Sequence, residues 1–307
     1  MSARKAAAPK PATRIVGHGN GHSYLLDGEK VPGVTTILKQ SVPMPALVGW
    51  AGRTVAEYVM DRLVVLDDGT VTANELLGAL RKFNETGRYP ERLGDGFSRM
   101  AFTKLLARVM YADRDAAANK GTKVHTLAQR IASGEDDVEV PEELERHVLS
   151  YERFLDEWRP TNAILEGVVV SRKWRYMGRF DLIADLPRVV LPDGSSWGGR
   201  TLLDLKTSRS GPYGEDSLQL AGYRYAETLI ADPATGEEAP LPPVESTGIL
   251  HVRADGYDLY PFTADERVFR IFLYAIQVGT ALDQETGLVG TARGDALKPP
   301  VLEEPTP

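Results

Sequence analysis

Residues 201–210, TLLDLKTSRS, place an aspartate and a lysine two apart inside an otherwise apolar run. Successive side chains of a strand turn to opposite faces, so Asp204 and Lys206 share one face while Leu203 and Leu205 share the other. Burying charge is costly unless the charges pair or bind a metal. The stretch is therefore either a private ion pair inside a sheet or the edge of a reactive site. Its surroundings have to decide.

The chain has 307 residues, 42% of them apolar and 26% charged, which is the balance of an ordinary globular protein with a sizeable core. There are no cysteines. Disulfides, thiolate zinc sites, iron–sulfur clusters and cysteine nucleophiles are thereby excluded, and a reducing cytoplasm is the expected compartment. No apolar run approaches the roughly 18 residues of a membrane span, so no membrane partner is expected, and no signal-peptide pattern is visible. The net charge of −7 argues against a general polyanion binder, so any contact with nucleic acid has to come from a local basic patch.

Along the chain, residues 1–14 read as a disordered basic tail. Two short strands flank the Asp27-Gly28 turn signal. A helical lobe follows, with helices over 45–63, over 72–83 (opened by the capping-box pair Thr72 and Glu75), over 98–132 and over 141–158. The acidic run 135–145 between the last two reads as a solvated loop and helix start. The period then changes. Residues 162–174, 175–186 and 201–207 predict three successive strands, the last two joined by a Gly/Pro/Ser loop over 187–200. A helix over 215–230, two strands and a closing helix complete the pattern, and residues 288–307 read as a second disordered tail. The order predicts an α/β (α+β) fold: a mixed sheet core flanked by helices, with an N-terminal helical lobe, in one domain over 15–287. Its halves are 15–160 and 161–287.

Three acids, Glu166, Asp181 and Asp204, fall in this sheet region among apolar neighbours. Clustered carboxylates raise one another's pKa unless a cation neutralises them, and hard oxygen ligands suit Mg²⁺ or Mn²⁺. Gln219 and Tyr223 stand four apart, on one face of a helix. His125 lies on the helix over 98–132, after Gly121.

The series Glu166, Gly178-x-x-Asp181, Asp204-x-Lys206-Thr207 and Gln219-x-x-x-Tyr223 resembles the PD-(D/E)XK nuclease superfamily. Within it, the chain is similar to the RecB-like branch, which includes CRISPR-associated adaptation exonucleases and many phage nucleases. Gly121-x-x-x-His125 matches the helical element of that branch, and residues 31–51 resemble the opening of phage-encoded members. The resemblance spans about residues 24–280 and implies a restriction-endonuclease-like core. It further implies that Asp181, Asp204, the Leu205 carbonyl and His125 hold a divalent metal, and that Lys206 orients or helps deprotonate a metal-bound water. Glu166 is left open between a further ligand, a group behind the ligands and the partner of a cation. Gln219 and Tyr223 would position the DNA backbone or Lys206, while Tyr225 reads as core.

Arg172, Lys173, Arg175 and Arg179, interleaved with Trp174 and Tyr176, form a basic turn without an acid, suited to phosphate contact and base stacking. Arg209, Lys104 and Arg108 would extend it. His18 and His22 sit in a Gly-rich loop too flexible to preorganise a metal pair, and His147 and His251 have no visible partners. No G-x-x-x-x-G-K-[S/T] loop is present, so no nucleotide cofactor is expected. The absent cysteines depart from relatives that carry an iron–sulfur cluster. The expected activity is thus phosphodiester hydrolysis in DNA, by a phage-type exonuclease of recombination, repair or genome processing acting in the cytoplasm of a bacterial host. A structure-specific or restriction-like endonuclease and a catalytically silent DNA-binding protein are the alternatives. The acidic balance leaves room for a delivering partner, such as a phage single-strand annealing or replication protein.

Overall fold

The computed structural model describes residues 13–18, 21–42, 45–66, 71–84, 99–208, 211–232 and 235–283. Residues 1–12 and 288–307 of the expected tails lie outside these, as does Arg209. The chain opens with strands β1 (Arg14–His18), β2 (Gly21–Leu26) and β3 (Glu29–Val31), then helix α1 (Val34–Ser41). Next come α2 (Pro45–Met60), the two-residue strands β4 (Val64–Val65) and β5 (Val71–Thr72), α3 (Asn74–Asn84), α4 (Arg99–Ala132) and α5 (Glu145–Trp158). The second half holds β6 (Thr161–Leu165), β7 (Val168–Ser171), β8 (Tyr176–Arg179), β9 (Leu182–Val190) and β10 (Ser196–Lys206). It continues with α6 (Glu215–Arg224), β11 (Thr228–Ile230), β12 (Glu238–Pro240), β13 (Ser246–Arg253), β14 (Gly256–Pro261) and α7 (Glu266–Asp283).

The fold is a mixed α/β one. Its largest sheet has the order β14-β13-β10-β9-β6, in which β10 and β13 run parallel and the other pairs antiparallel. A parallel pair needs a long crossover, and α6 with β11 and β12 supplies it. On β10 the faces separate as period 2 requires. Leu202 packs with Val34, Leu220, Tyr223 and Phe272 under α1, α6 and α7, whereas Leu203 and Leu205 pack with Tyr151, Phe154 and Leu250 under α5. Among the described residues, no helix is long and apolar enough to cross a membrane.

Two of the expected strands are each broken in two. Residues 162–174 divide into β6 and β7, and 175–186 into β8 and β9, so that β7 and β8 leave the large sheet for a second one, β12-β11-β7-β8. The breaks fall at Glu166-Gly167 and Phe180-Asp181. Glu166 adopts a left-handed backbone, φ 52°, and at Gly167 a Cβ would stand 2.6 Å from Phe180 Cζ. The crossing chains stay tied by Glu166 N–H to Asp181 O, 3.0 Å, and Phe180 N–H to Gly167 O, 3.1 Å.

Other expectations shift. The loop over 187–200 is largely strand, because Gly198 and Gly199 take positive φ (120° and 73°) and build a bulge opposite Pro187 and Arg188 rather than ending the ladder. The helix over 215–230 stops at Arg224, and Thr228–Ile230 pair with Val168–Val170 instead. Thr72 is spent in the β4–β5 ladder, so α3 starts from Ala73, whose carbonyl accepts from Leu77 N–H. Arg14, placed in the tail by its composition, opens β1, and Thr13 is buried against Asp27.

Candidate functional site

The two strand breaks put acids at the crossing from one sheet to the other. Asp181 precedes β9 and faces β10, which runs on three residues past its last pairing with β9 at Leu203↔Leu182. The Leu205 N–H freed there donates to Asp181 Oδ2 at 2.6 Å. N–H and C=O of one strand residue turn to the same edge, so the Leu205 carbonyl turns toward this opening too. From α4, His125 Nδ1 lies 3.0 Å from Asp181 Oδ1. Glu166 meets the Arg179 guanidinium at 3.0 Å.

On the other face of β10, Asp204 is buried. Gln219 Nε2 donates to its Oδ1 at 2.6 Å and to the Tyr223 hydroxyl at 3.1 Å, while Lys206 Nζ donates to Gln219 Oε1 at 3.1 Å. Lys206 Nζ also lies 2.8 Å from Asp204 Oδ2 and 3.2 Å from Asp216 Oδ1. Asp204 Oδ2 is held by the Lys206 ammonium and has no other partner among the described residues. Tyr223 needs Gly178 beneath it: a Cβ there would stand 2.7 Å from Tyr223 Cε1 and 2.7 Å from Val34 Cγ2.

The charges are coupled. Burial lifts the Asp204 carboxyl to about 6, with Lys206 pulling it down and Asp181 pushing it up. Burial first, then Asp181, lifts Glu166 to about 7 against the pull of Arg179 and His125. Burial opposes charge on His125, but Asp181, with Asp204 and Glu166 behind it, outweighs this and raises it to about 9. Burial also favours neutral Lys206, yet Asp204 and Asp216 hold it above the ordinary lysine value. Asp181 is pushed up by burial and pulled further down by His125 and the Leu205 amide, so it stays ionised.

This is a set of groups short of positive charge. One ligand atom from each of His125, Glu166 and Asp181 lies within 4.8 Å of the others. A cavity of about 20 Å³, bounded by these three with Gln129, Tyr151 and Leu205, has room for about one water. Carboxylate oxygens with one imidazole suit a small divalent cation, Mn²⁺ more readily than Mg²⁺ where the imidazole binds. The donors therefore fit the expected metal, with one change of membership. Glu166 joins His125 and Asp181, while Asp204 is outside that group, drawn to Gln219 and Lys206 from the α6 face.

The basic turn differs from its expectation. Arg172 pairs with Asp27 and Glu238, Arg175 with Glu29, and Arg179 with Glu166. Lys173, over Trp174, is the one of the four without a carboxylate partner among the described residues. Of the two aromatics, Tyr176 is fully buried and donates to Gly222 O at 2.7 Å, which removes it as a stacking platform, whereas Trp174 is half-buried with one side against the core. Acids distant in sequence neutralise what looked like a free patch. His251, without a visible partner in sequence, lies 2.6 Å from the Ser208 carbonyl just after Lys206.

Sequence reading missed Asp216, Gln129 and Tyr151. Gln129 carried a signal, being one helical turn beyond His125. Asp216 read as an acid of a helix start, and only the docking of α6 brings it to Lys206.

No protein-family model matches the chain, and no curated protein matches it. Among solved structures the chain is similar to "Crystal structure of SSO0001", with 12% identity over 76% of this chain and 85% of that one, at a TM-score of 0.26. A likeness that weak identifies neither fold family nor function.

Proposed function

We propose that the chain is a divalent-metal-dependent DNA nuclease of the PD-(D/E)XK type, RecB-like, and an exonuclease. The observation that carries this reading is the meeting of Asp181, His125 and Glu166 at the mouth between β9 and β10, with Asp204 and Lys206 on the next residues of β10. A private ion pair would need only Asp204 and Lys206. It would not need a second carboxylate, an imidazole and a Gln–Tyr brace.

Bound Mg²⁺ or Mn²⁺ would supply a water of lowered pKa and screen the phosphate oxygens. The chain's own groups do the rest. His125, Asp181 and Glu166, with Asp204 and the Leu205 carbonyl beside them, provide the donors. Lys206, held cationic, offsets the charge developing on the phosphoryl oxygens and orients the attacking water rather than taking its proton. Gln219 fixes Asp204 and Lys206 relative to one another, and Tyr223 fixes Gln219. The DNA contact is weighted toward Lys173 and toward arginines that exchange carboxylate for phosphate.

The test is cleavage of end-labelled linear, single-stranded and covalently closed circular DNA with Mg²⁺, with Mn²⁺ and with EDTA. Metal-dependent loss of the linear substrates with the closed circle intact is expected, and Asp204→Ala or Lys206→Ala should lower the rate at least about 100-fold. Cutting of the circle would make it an endonuclease. Parent-like rates in either variant would remove the site assignment, and binding without hydrolysis would leave a silent DNA-binding protein.

A further inference from the structure

Resting on that nuclease reading, we propose that Asp216, on α6, is the positioning residue that keeps the Lys206 ammonium aimed into the site once Asp204 turns to a metal. Lys206 Nζ has three partners: Asp204 Oδ2 at 2.8 Å, Gln219 Oε1 at 3.1 Å and Asp216 Oδ1 at 3.2 Å. They are not equivalent. Asp204 belongs to the same strand, and among the described residues its Oδ2 has no partner besides the Lys206 ammonium, so it is the oxygen available to turn to a cation. A carboxylate shared with a dication attracts a neighbouring ammonium less, and the dication itself repels that ammonium. Gln219 is neutral. Asp216 is then the anion that remains on Lys206.

Asp216 is built to stay in place. Its side chain is 9% exposed, its Oδ2 accepts the Tyr213 N–H at 2.8 Å, and its own N–H donates to Tyr213 O at 3.1 Å. This reciprocal pair closes the first turn of α6, as a capping box does, and leaves Oδ1 aimed at Lys206. The first turn of a helix also favours a negative charge there. One helix therefore carries both holders of Lys206, with Asp216 and Gln219 three residues apart on the same face.

The cap means that removing Asp216 could act through stability alone, so the test reads both effects. Asp216→Asn keeps a capping oxygen and removes the charge. In a parent protein that cleaves DNA, it is expected to lower kcat by about 10- to 100-fold with KM within about twofold, and to leave Mn²⁺ affinity, read by calorimetry without DNA, unchanged. Asp216→Glu, which retains the charge one methylene further out, should recover part of the rate. Parent-like kcat in Asp216→Asn overturns the proposal, as does a loss of Mn²⁺ affinity in step with the rate, which would make Asp216 part of the metal shell. Should Asp216→Asn not fold, Asp216→Ser, which also keeps a capping oxygen and removes the charge, carries the test, with lowered kcat at intact Mn²⁺ affinity expected and parent-like kcat overturning it. A parent that does not cleave at all sinks the nuclease reading instead, and a separate measurement then decides the Asp216–Lys206 contact. Urea unfolding of Asp216→Asn, Lys206→Ala and the double variant should show coupling between the two sites, and additive effects would overturn the contact itself.

Discussion

At the scale of single residues, the site is governed by which charge has which neighbour. His125 shows it most simply. Its imidazole would lose its proton on burial, yet Asp181 at 3.0 Å outweighs that and holds it charged up to about 9. A histidine whose folded pKa lies above the unfolded value of about 6.5 contributes stability that is fully present below pH 6.5. That contribution is lost as the pH rises through 9. Metal-free protein is therefore expected to lose stability between pH 6.5 and 9 in urea titrations, and His125→Asn should flatten that slope. An unchanged slope in the variant would mean that the imidazolium–Asp181 pair does not form in solution. The same rule separates the acids: Asp181, with two donors, stays ionised, while Glu166 and Asp204, buried beside it, are lifted.

At the scale of elements, the site depends on two interrupted strands. Had β6 continued into β7 and β8 into β9, Glu166 and Asp181 would be ordinary strand residues facing a packed layer. Because β7 and β8 turn away into another sheet, the end of β10 lacks a partner on that side and its Leu205 amide reaches Asp181. The turn-away needs close packing. Gly178 on β8 lies under both Tyr223 and Val34, so α1 and α6 approach the sheet only where a side chain is missing. Gly178→Ala is expected to destabilise the fold by about 1–3 kcal/mol through overpacking, and to lower cleavage further by moving Tyr223 and, through it, Gln219. A urea midpoint equal to the parent's would show that α1 and α6 can shift without cost. The faces of β10 are legible from the period-2 pattern alone, with Leu203 and Leu205 against α5 and Asp204 and Lys206 toward α6. The breaks are not legible, because Val168–Ser171 and Tyr176–Arg179 have the same apolar character as the strands they leave.

At the scale of the whole molecule, a chain of net charge −7 brings Glu166 and Asp181 together with His125, a group that could hold a metal ion. Binding to the folded state alone stabilises by mass action, about 2.7 kcal/mol at a hundred times the Kd. Millimolar Mn²⁺ is thus expected to raise the melting temperature of the parent and to leave that of Asp181→Asn unmoved. A variant that rises as much as the parent would place the ion elsewhere. Overall acidity also bears on why the expected basic turn is muted: Asp27 in the β2–β3 turn, Glu29 on β3 and Glu238 on β12 reach Arg172 and Arg175.

What the sequence determined by itself were the features set by local chemistry. Alternation put Asp204 and Lys206 on one face of β10, helical spacing put Gln219 and Tyr223 on one face of α6, and the change of period marked the passage from helices to sheet. Only the tertiary structure decided which acids stand together. Glu166 joins His125 and Asp181 because the chain crosses between sheets at Gly167, Asp216 meets Lys206 because α6 docks across β10, and the arginines of the β7–β8 turn meet carboxylates more than fifty residues away. Side-chain direction is a property of a few neighbouring dihedrals and is written locally. Proximity of charges depends on how elements pack, and no local pattern carries it.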